Sequence, residues 1–249
     1  MSNSILYRMA AGIPGAVSRP SFSSIEGQAL DSTAPFAAYG IPAKFVNGKM
    51  QPVSGATDLV AGFLARPFPI TGPDASDPIG TAVPPTSGMG NLMRVGYMTV
   101  LNLAGAAAQG GQVYVRVANA VAPQVVGGIE AAAAYQAPAA AAAAGNTGNG
   151  TVGALAAASP ALNGVYTLVM ETATRFEVFD PNGALIGTGV AGTAFSEKGV
   201  SLTVTAGATA FAAGDSFDIT VSANTVAIPH AQFMSGADAS GNVEISYRV

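Results

Sequence analysis

His230 is the single histidine of a 249-residue chain that contains no cysteine. Nucleophilic or acid–base chemistry would therefore have to rest on one imidazole or on carboxylates. A Ser-His-Asp arrangement holds its histidine between a nucleophile and a carboxylate, and no G-x-S-x-G nucleophile turn accompanies the AIPHAQF segment. A structural or surface role for His230 outweighs a catalytic one. Glu177 and Asp180 form the nearest carboxylate pair in a strand context, but residues three apart on a strand point to opposite faces and cannot flank one bond. Asp215 and Asp218 fail on the same ground. Oxygen-ligand metal sites could draw on Asp180 with Asn182, or on Asp74 with Asp77, yet neither stretch has the spaced ligand set of a dedicated calcium loop. The GNTGNG tract (Gly145 to Gly150) has the glycine spacing of a phosphate loop without the preceding strand and following amphipathic helix, and reads as a flexible entry loop. The expectation is a protein that is not an enzyme and uses no metal or cofactor.

The elements around these residues are short and β-prone. Only 10% of residues are charged, against about 25% in an average soluble domain, and 50 of the 249 are alanine. Alanine accounts for the apolar bias, and no run approaches the ~20 bulky apolar residues that span a bilayer. Nor does Met1 to Arg8 carry the basic and apolar regions of a secretory signal. A net charge of -4, with ten scattered basic residues, argues against a nucleic-acid partner. Turn-forming residues are abundant, with 31 Gly and 16 Pro, which fits β-structure.

Met1 to about Pro20 reads as an extended arm whose apolar cluster is Ile5-Leu6-Tyr7. Asn47-Gly48 fits a type I′ hairpin turn. Thr71 to Gly90 is a long Pro/Gly loop of a kind usually functional or ordered by a partner. In GQVYVRV, Val113, Val115 and Val117 share one face while Tyr114 and Arg116 share the other; MTVLNL (Met98 to Leu103) behaves similarly. The Ala139 to Ala144 run, preceded by Pro138, reads as linker with at most one helical turn. VYTLVM, RFEVFD, VSLTVT and SFDITV then form a set of strands separated by turns such as Asp180-Pro181-Asn182-Gly183, the pattern of a small antiparallel sandwich. VEISYRV closes the chain with strict alternation. The organisation expected is all-β: a β-barrel or jelly-roll-like core domain of residues 1–127 plus 226–249, a linker at 128–144, and an inserted antiparallel β-sandwich at 145–225.

Three segments resemble tailed-bacteriophage capsid cement, or head decoration, proteins: AVSRPSFSSIEGQALDSTAPFAAYGIPAKF (Ala16 to Phe45), GGQVYVRVA (Gly110 to Ala118) and AQFMSGADASGNVEISYRV (Ala231 to Val249). The insert is similar to a module found in phage head-decoration proteins. The resemblance implies a virion protein on the outer capsid surface that binds across major capsid protein subunits and reinforces the shell. Ile5, Leu6, Tyr7 and Arg8 are the expected capsid-contact residues. Self-association is expected, with a dimer preferred to a trimer, and the partners include neither nucleic acid nor membrane. The alternative is a head-fibre or adhesion protein that binds host-surface or environmental glycans.

Overall fold

The structure, a computed structural model, describes residues 12–67 and 82–248. Numbered along the chain, the strands are β1 (Ser24–Ala29), β2 (Pro42–Val46), β3 (Lys49–Pro52), β4 (Gly62–Ala65), β5 (Met89–Leu101), β6 (Gln112–Arg116), β7 (Ile129–Glu130), β8 (Ala139–Ala142) and β9 (Thr151–Ala157). They continue as β10 (Gly164–Met170), β11 (Arg175–Phe179), β12 (Leu185–Val190), β13 (Ala194–Glu197), β14 (Val200–Thr205), β15 (Ser216–Val221), β16 (Thr225–Phe233) and β17 (Asn242–Tyr247). Among the described residues there is no α-helix, as the strand patterning predicts. Two compact units result, Met1–Ala132 with Thr225–Val249 and Ala133–Asn224.

The first unit is a curled antiparallel half-barrel in the order β3-β2-β4-β5-β17-β16-β6-β7, with β1 also paired to β5. Its centre is β4 and β5, buried on both faces at Gly62–Ala65 and at Leu92–Met93 and Met98–Val100. Phe63 and Met93 are register partners and face one core, built with Met98, Val100, Val115 and Ile245. Leu64 and Leu92, the next pair, face a second core with Leu30, Phe36 and Met50. Strands buried on both sides read as apolar runs without alternation, and all four residues of GFLA are indeed buried. A parallel bridge between Leu30 and Met50 brings the end of β1 onto β3 and curls the sheet around the second core. At Gly96, β5 changes neighbours: Val95 pairs with Ser24 of β1, and Gly96 with Tyr247 of β17. Its φ is +140°, and an added Cβ would lie 2.1 Å from the Ser23 hydroxyl oxygen, so the crossing requires glycine.

Val113 and Val115 are buried in the first core as their alternation requires. Arg116, on the opposite face with Tyr114, is buried as well. Its guanidinium forms a two-pronged ion pair with Glu130 of β7, Nη2 donating to Oε2 at 2.9 Å and Nε to Oε1. The third nitrogen donates to the carbonyls of Ala118 and Asn119, both at 3.2 Å. β7 supplies the carboxylate that makes this burial tolerable, and the pair ties the β6–β7 loop to the sheet. Asn47 and Gly48 form the expected β2–β3 hairpin turn with φ of +50° and +77°.

The second unit stacks a five-stranded sheet, β12-β11-β10-β15-β8, on a three-stranded one, β13-β14-β9. Tyr166, Leu168, Phe176, Phe195, Leu202, Phe217 and Ile219 fill its core. Phe176 of the first sheet meets Phe195 of the second edge to face, centroids 5.9 Å apart. The polyalanine run, which composition reads as linker, is edge strand β8, with Ala142 opposite Phe217 and Ala140 opposite Ile219. Pairing with a finished sheet satisfies its backbone, which outweighs alanine's helical preference. The chain's entry and exit are joined within this unit by the Tyr135–Ala223 bridge and by Asn224 N–H donating to the Ala134 carbonyl at 2.8 Å.

Replacing Leu92 by Ala should lower the unfolding free energy by about 2–5 kcal/mol. Replacing half-exposed Ile25, on neighbouring β1, should change it by about 0.5 kcal/mol or less. Urea denaturation of the two variants checks the contrast.

Candidate interaction surfaces

Residues 12–19 form a strap along β5. Gly15 N–H donates to the Thr99 carbonyl at 2.8 Å, Thr99 N–H to Ala16 at 2.9 Å, and Ser18 N–H to Tyr97 at 3.0 Å. Arg19 then lies over the Tyr97 ring, 4.1 Å from its centroid, and reaches Glu244 of β17 at 2.8 Å. Ser18 Oγ donates to the same carboxylate at 2.6 Å. Burial raises the Glu244 pKa, but the hydrogen bonds from Arg19 and Ser18 outweigh it and hold the carboxyl below its ordinary value. The pair is partly exposed, so its worth is at most about 1 kcal/mol; its effect is to fix the path of the chain. Ile5, Leu6, Tyr7 and Arg8, the expected contact residues, lie outside the described residues.

The first unit also holds a cavity of about 370 Å³ lined by Tyr39, Ile41, Arg66, Leu101, Leu103 and Val125 among others. The Arg66 guanidinium packs on the Tyr39 ring, 4.7 Å from the centroid. Burial pushes the Tyr39 phenol up, offset in part by the nearby Arg66 charge, so it stays a hydroxyl donor at neutral pH. The Arg116–Glu130 pair supports the loop that carries Val125.

Among the described residues, those singled out for chemistry do not converge. His230 is exposed, with φ of +60°, on a bulge where the β16–β6 register slips between Ala227 and Gln232. The Gln112 side-chain amide fills that bulge, donating to the carbonyls of Ile228 at 2.8 Å and Val113 at 2.9 Å. The Asp180 carboxylate accepts from the N–H groups of Asn182 and Ala184, closing its own turn. Asp74 and Asp77 lie outside the described residues. Among the described residues, no three His, Asp or Glu side chains are grouped as a metal site.

The GNTGNG tract does cradle an anion, and the anion is the chain's own Asp215. Thr147, Gly148 and Ala212 N–H groups donate to that buried carboxylate at 2.7, 2.8 and 2.9 Å. Asn146 adds a pair of bonds to the Ser216 backbone, both 2.8 Å. The expected flexible entry loop is therefore a pinned connection, because its glycines let backbone donors close on a carboxylate 65 or more residues away.

Residues 1–160 match the model of a family described as XM1 gp53 minor capsid protein. The chain belongs to this family. The family is one of minor capsid proteins, structural parts of a phage virion. The matched residues of this XM1 gp53 family member include the strap, most of the half-barrel and the cavity lining. Among solved structures, it is similar to two crystal forms of FlgL from Xanthomonas campestris. The C2 form is 28% identical over 38% of this chain and 31% of FlgL, TM-score 0.30. The H3 form is 19% identical over 74% and 44%, TM-score 0.30. A third similarity is to the flagellar hook junction protein FlgK from Burkholderia pseudomallei, 14% identical over 78% of this chain and 42% of FlgK, TM-score 0.29. The family member spans less than half the length of each of these flagellar chains. No curated protein matches it.

Acid should destabilise the protein through its depressed carboxyls. For Asp215 the hydrogen bonds from Ala212 and Thr147 lead, and for Asp31 the bonds from Gln51 and Thr33 hold the pKa at about 2, against an ordinary 3.8. A carboxyl with a lowered folded pKa stabilises above its unfolded pKa and loses that effect as pH falls through the folded one. The thermal midpoint is therefore expected to fall between about pH 4 and pH 2. Asp215→Asn should lower the midpoint at pH 7 and flatten the acid limb; an unchanged pH profile would count against the carboxylate cradle.

Proposed function

We propose that this protein cements the phage shell: it lies on the outer capsid surface and bridges neighbouring major capsid protein subunits. Membership of a minor capsid family across residues 1–160 is the observation that carries this reading. It is supported by the strap, whose bonds to β5 begin at Gly15, eight residues after the apolar Ile5-Leu6-Tyr7 segment. The first unit also leaves large apolar side chains in water, Phe22 at 72% exposure and Leu59 at 86% among them. Scattered apolar surface with little charge is inexpensive to desolvate at a broad contact. Each copy binds through many weak contacts, and repetition over a symmetric shell multiplies their effect. The protein acts by binding alone, without catalysis, cofactor or metal, and associates with itself as a dimer.

Added to shells that lack it, the purified protein should bind and raise their thermal disruption temperature. Shells left bare, or coated without a gain in stability, would refute the cement role. Replacing Ile5, Leu6 and Tyr7 by Ala and Arg8 by Gln together should weaken shell binding at least ~10-fold while leaving the far-ultraviolet circular dichroism unchanged, because several apolar side chains at ~1.5–3 kcal/mol each would no longer be buried.

A further inference from the structure

Four asparagines are followed directly by glycine: Asn47, Asn149, Asn163 and Asn182. Asparagine is a thermolabile residue, and a following glycine, having no side chain, leaves its backbone nitrogen open to attack the asparagine side-chain carbonyl. A hydrogen bond already made by that carbonyl or that nitrogen must break before the two can react. Three of the four steps are held in this way. The Asn149 Oδ1 accepts the Thr209 N–H at 2.8 Å, and the Asn163 Oδ1 accepts the Ala223 N–H at 2.9 Å. At Asn182 the nucleophile is occupied: Gly183 N–H donates to the Asp180 carbonyl at 2.9 Å, while the Asp180 carboxylate accepts the Asn182 and Ala184 N–H groups on either side.

The Asn47-Gly48 step differs. Both residues are exposed, and neither the Asn47 side chain nor the Gly48 N–H has a hydrogen-bond partner among the described residues. A Cβ added at Gly48 would meet nothing within 4 Å. The two residues are the whole β2–β3 turn, inside the Val46–Lys49 pair, and β3 is an edge strand of its sheet. Local opening of the hairpin end therefore disturbs few contacts.

We infer that Asn47 is a self-modification site, at which the folded protein deamidates in preference to its other Asn-Gly steps. The Gly48 nitrogen forms a bond to the Asn47 Cγ as the bond from Cγ to the side-chain nitrogen breaks; that nitrogen leaves as ammonia, with the proton that Gly48 gives up. Water then opens the five-membered imide at either carbonyl. Opening at Cγ gives aspartate, and opening at the main-chain carbonyl gives isoaspartate, in which the chain runs through Cβ and Cγ. One water is consumed, one ammonia is released, and nothing is oxidised or reduced. The isoaspartyl form adds a backbone carbon to the turn, and turn length sets hairpin register. That register holds Met50, fully buried in the second core, opposite Phe45. Reaction at the turn loosens that core irreversibly.

The test ages the whole protein in mildly alkaline buffer and maps it by protease digestion and mass spectrometry; trypsin releases Phe45–Lys49 as a peptide of its own. In the folded protein this peptide should convert to its aspartyl and isoaspartyl forms about 3–10-fold faster than each of the other three steps, the factor corresponding to one hydrogen bond that need not break. In urea, where all four steps are free, the rates should draw level. A different leading step, or four equal rates in the folded protein, overturns the inference. So does an Asn47 lead that persists unchanged in urea, since the selectivity then comes from neighbouring sequence and not from the fold. Ageing should lower the thermal midpoint of the parent but not of Asn47→Gly, which suits a φ of +50° and has no side chain to react. A parent midpoint that holds despite conversion, or falls equally in the variant, overturns the link from this turn to the core.

Discussion

Strand β4 and the Leu92–Met93 step of β5 beside it are buried on both faces, and the first unit is arranged around the wall they make. Phe63 and Met93 look into one core while Leu64 and Leu92, one residue along, look into the other. A one-residue slip of register would exchange the two sets and pack both cores wrongly, so the pairing is specified from both sides at once. Each of these fully buried side chains stabilises the fold by roughly 1.5–3 kcal/mol. The wall also sets the positions of the surfaces. Its long strand carries the strap at Tyr97 and Thr99 and ends at Leu101 on the cavity, while Arg66, next along from β4, closes the cavity from the other strand.

Charge is used sparingly, and several charged groups are paired or hydrogen-bonded within the fold. Arg116 and Glu130 neutralise each other inside the fold, and Arg19 is occupied by Glu244 and Lys44 by Asp58. The carboxylates of Asp58, Asp180, Asp215 and Asp238 accept backbone N–H groups from their own loops or from distant ones. A chain with few charges thus has fewer still free for water. For a virion protein this has a direct consequence, because a contact surface with little bound hydration loses little when a neighbour covers it. A composition this low in charge suits a virion protein with a broad contact surface.

Patterns of period two were legible wherever a strand has one buried face. Val113, Val115, Val243 and Ile245 alternate, and the structure buries them together. Turn chemistry was equally readable at Asn47-Gly48 and at Asp180 to Gly183. The strands β4 and β5 were less so: GFLA and the Leu92–Met93 step have no alternation to detect, since both faces are covered there. Spacing sets Arg116 opposite the buried valines but says nothing of its burial, which depends on Glu130, brought alongside in a two-residue strand. The polyalanine run has no face of its own to reveal, because identical methyl groups fit a helix, a linker or a strand.

Local rules therefore determined the all-β class and the sandwich strands of the second unit, because alternation and turn residues are properties of short stretches. Only the tertiary structure decided which residues of distant segments meet: Asp215 with the GNTGNG tract, Arg19 with Glu244, Tyr39 with Arg66 at a cavity. Those partners lie from 27 to 225 residues apart. Nothing in the local spacing of either partner signals the other, since each pairing exists only after the sheet has set its register.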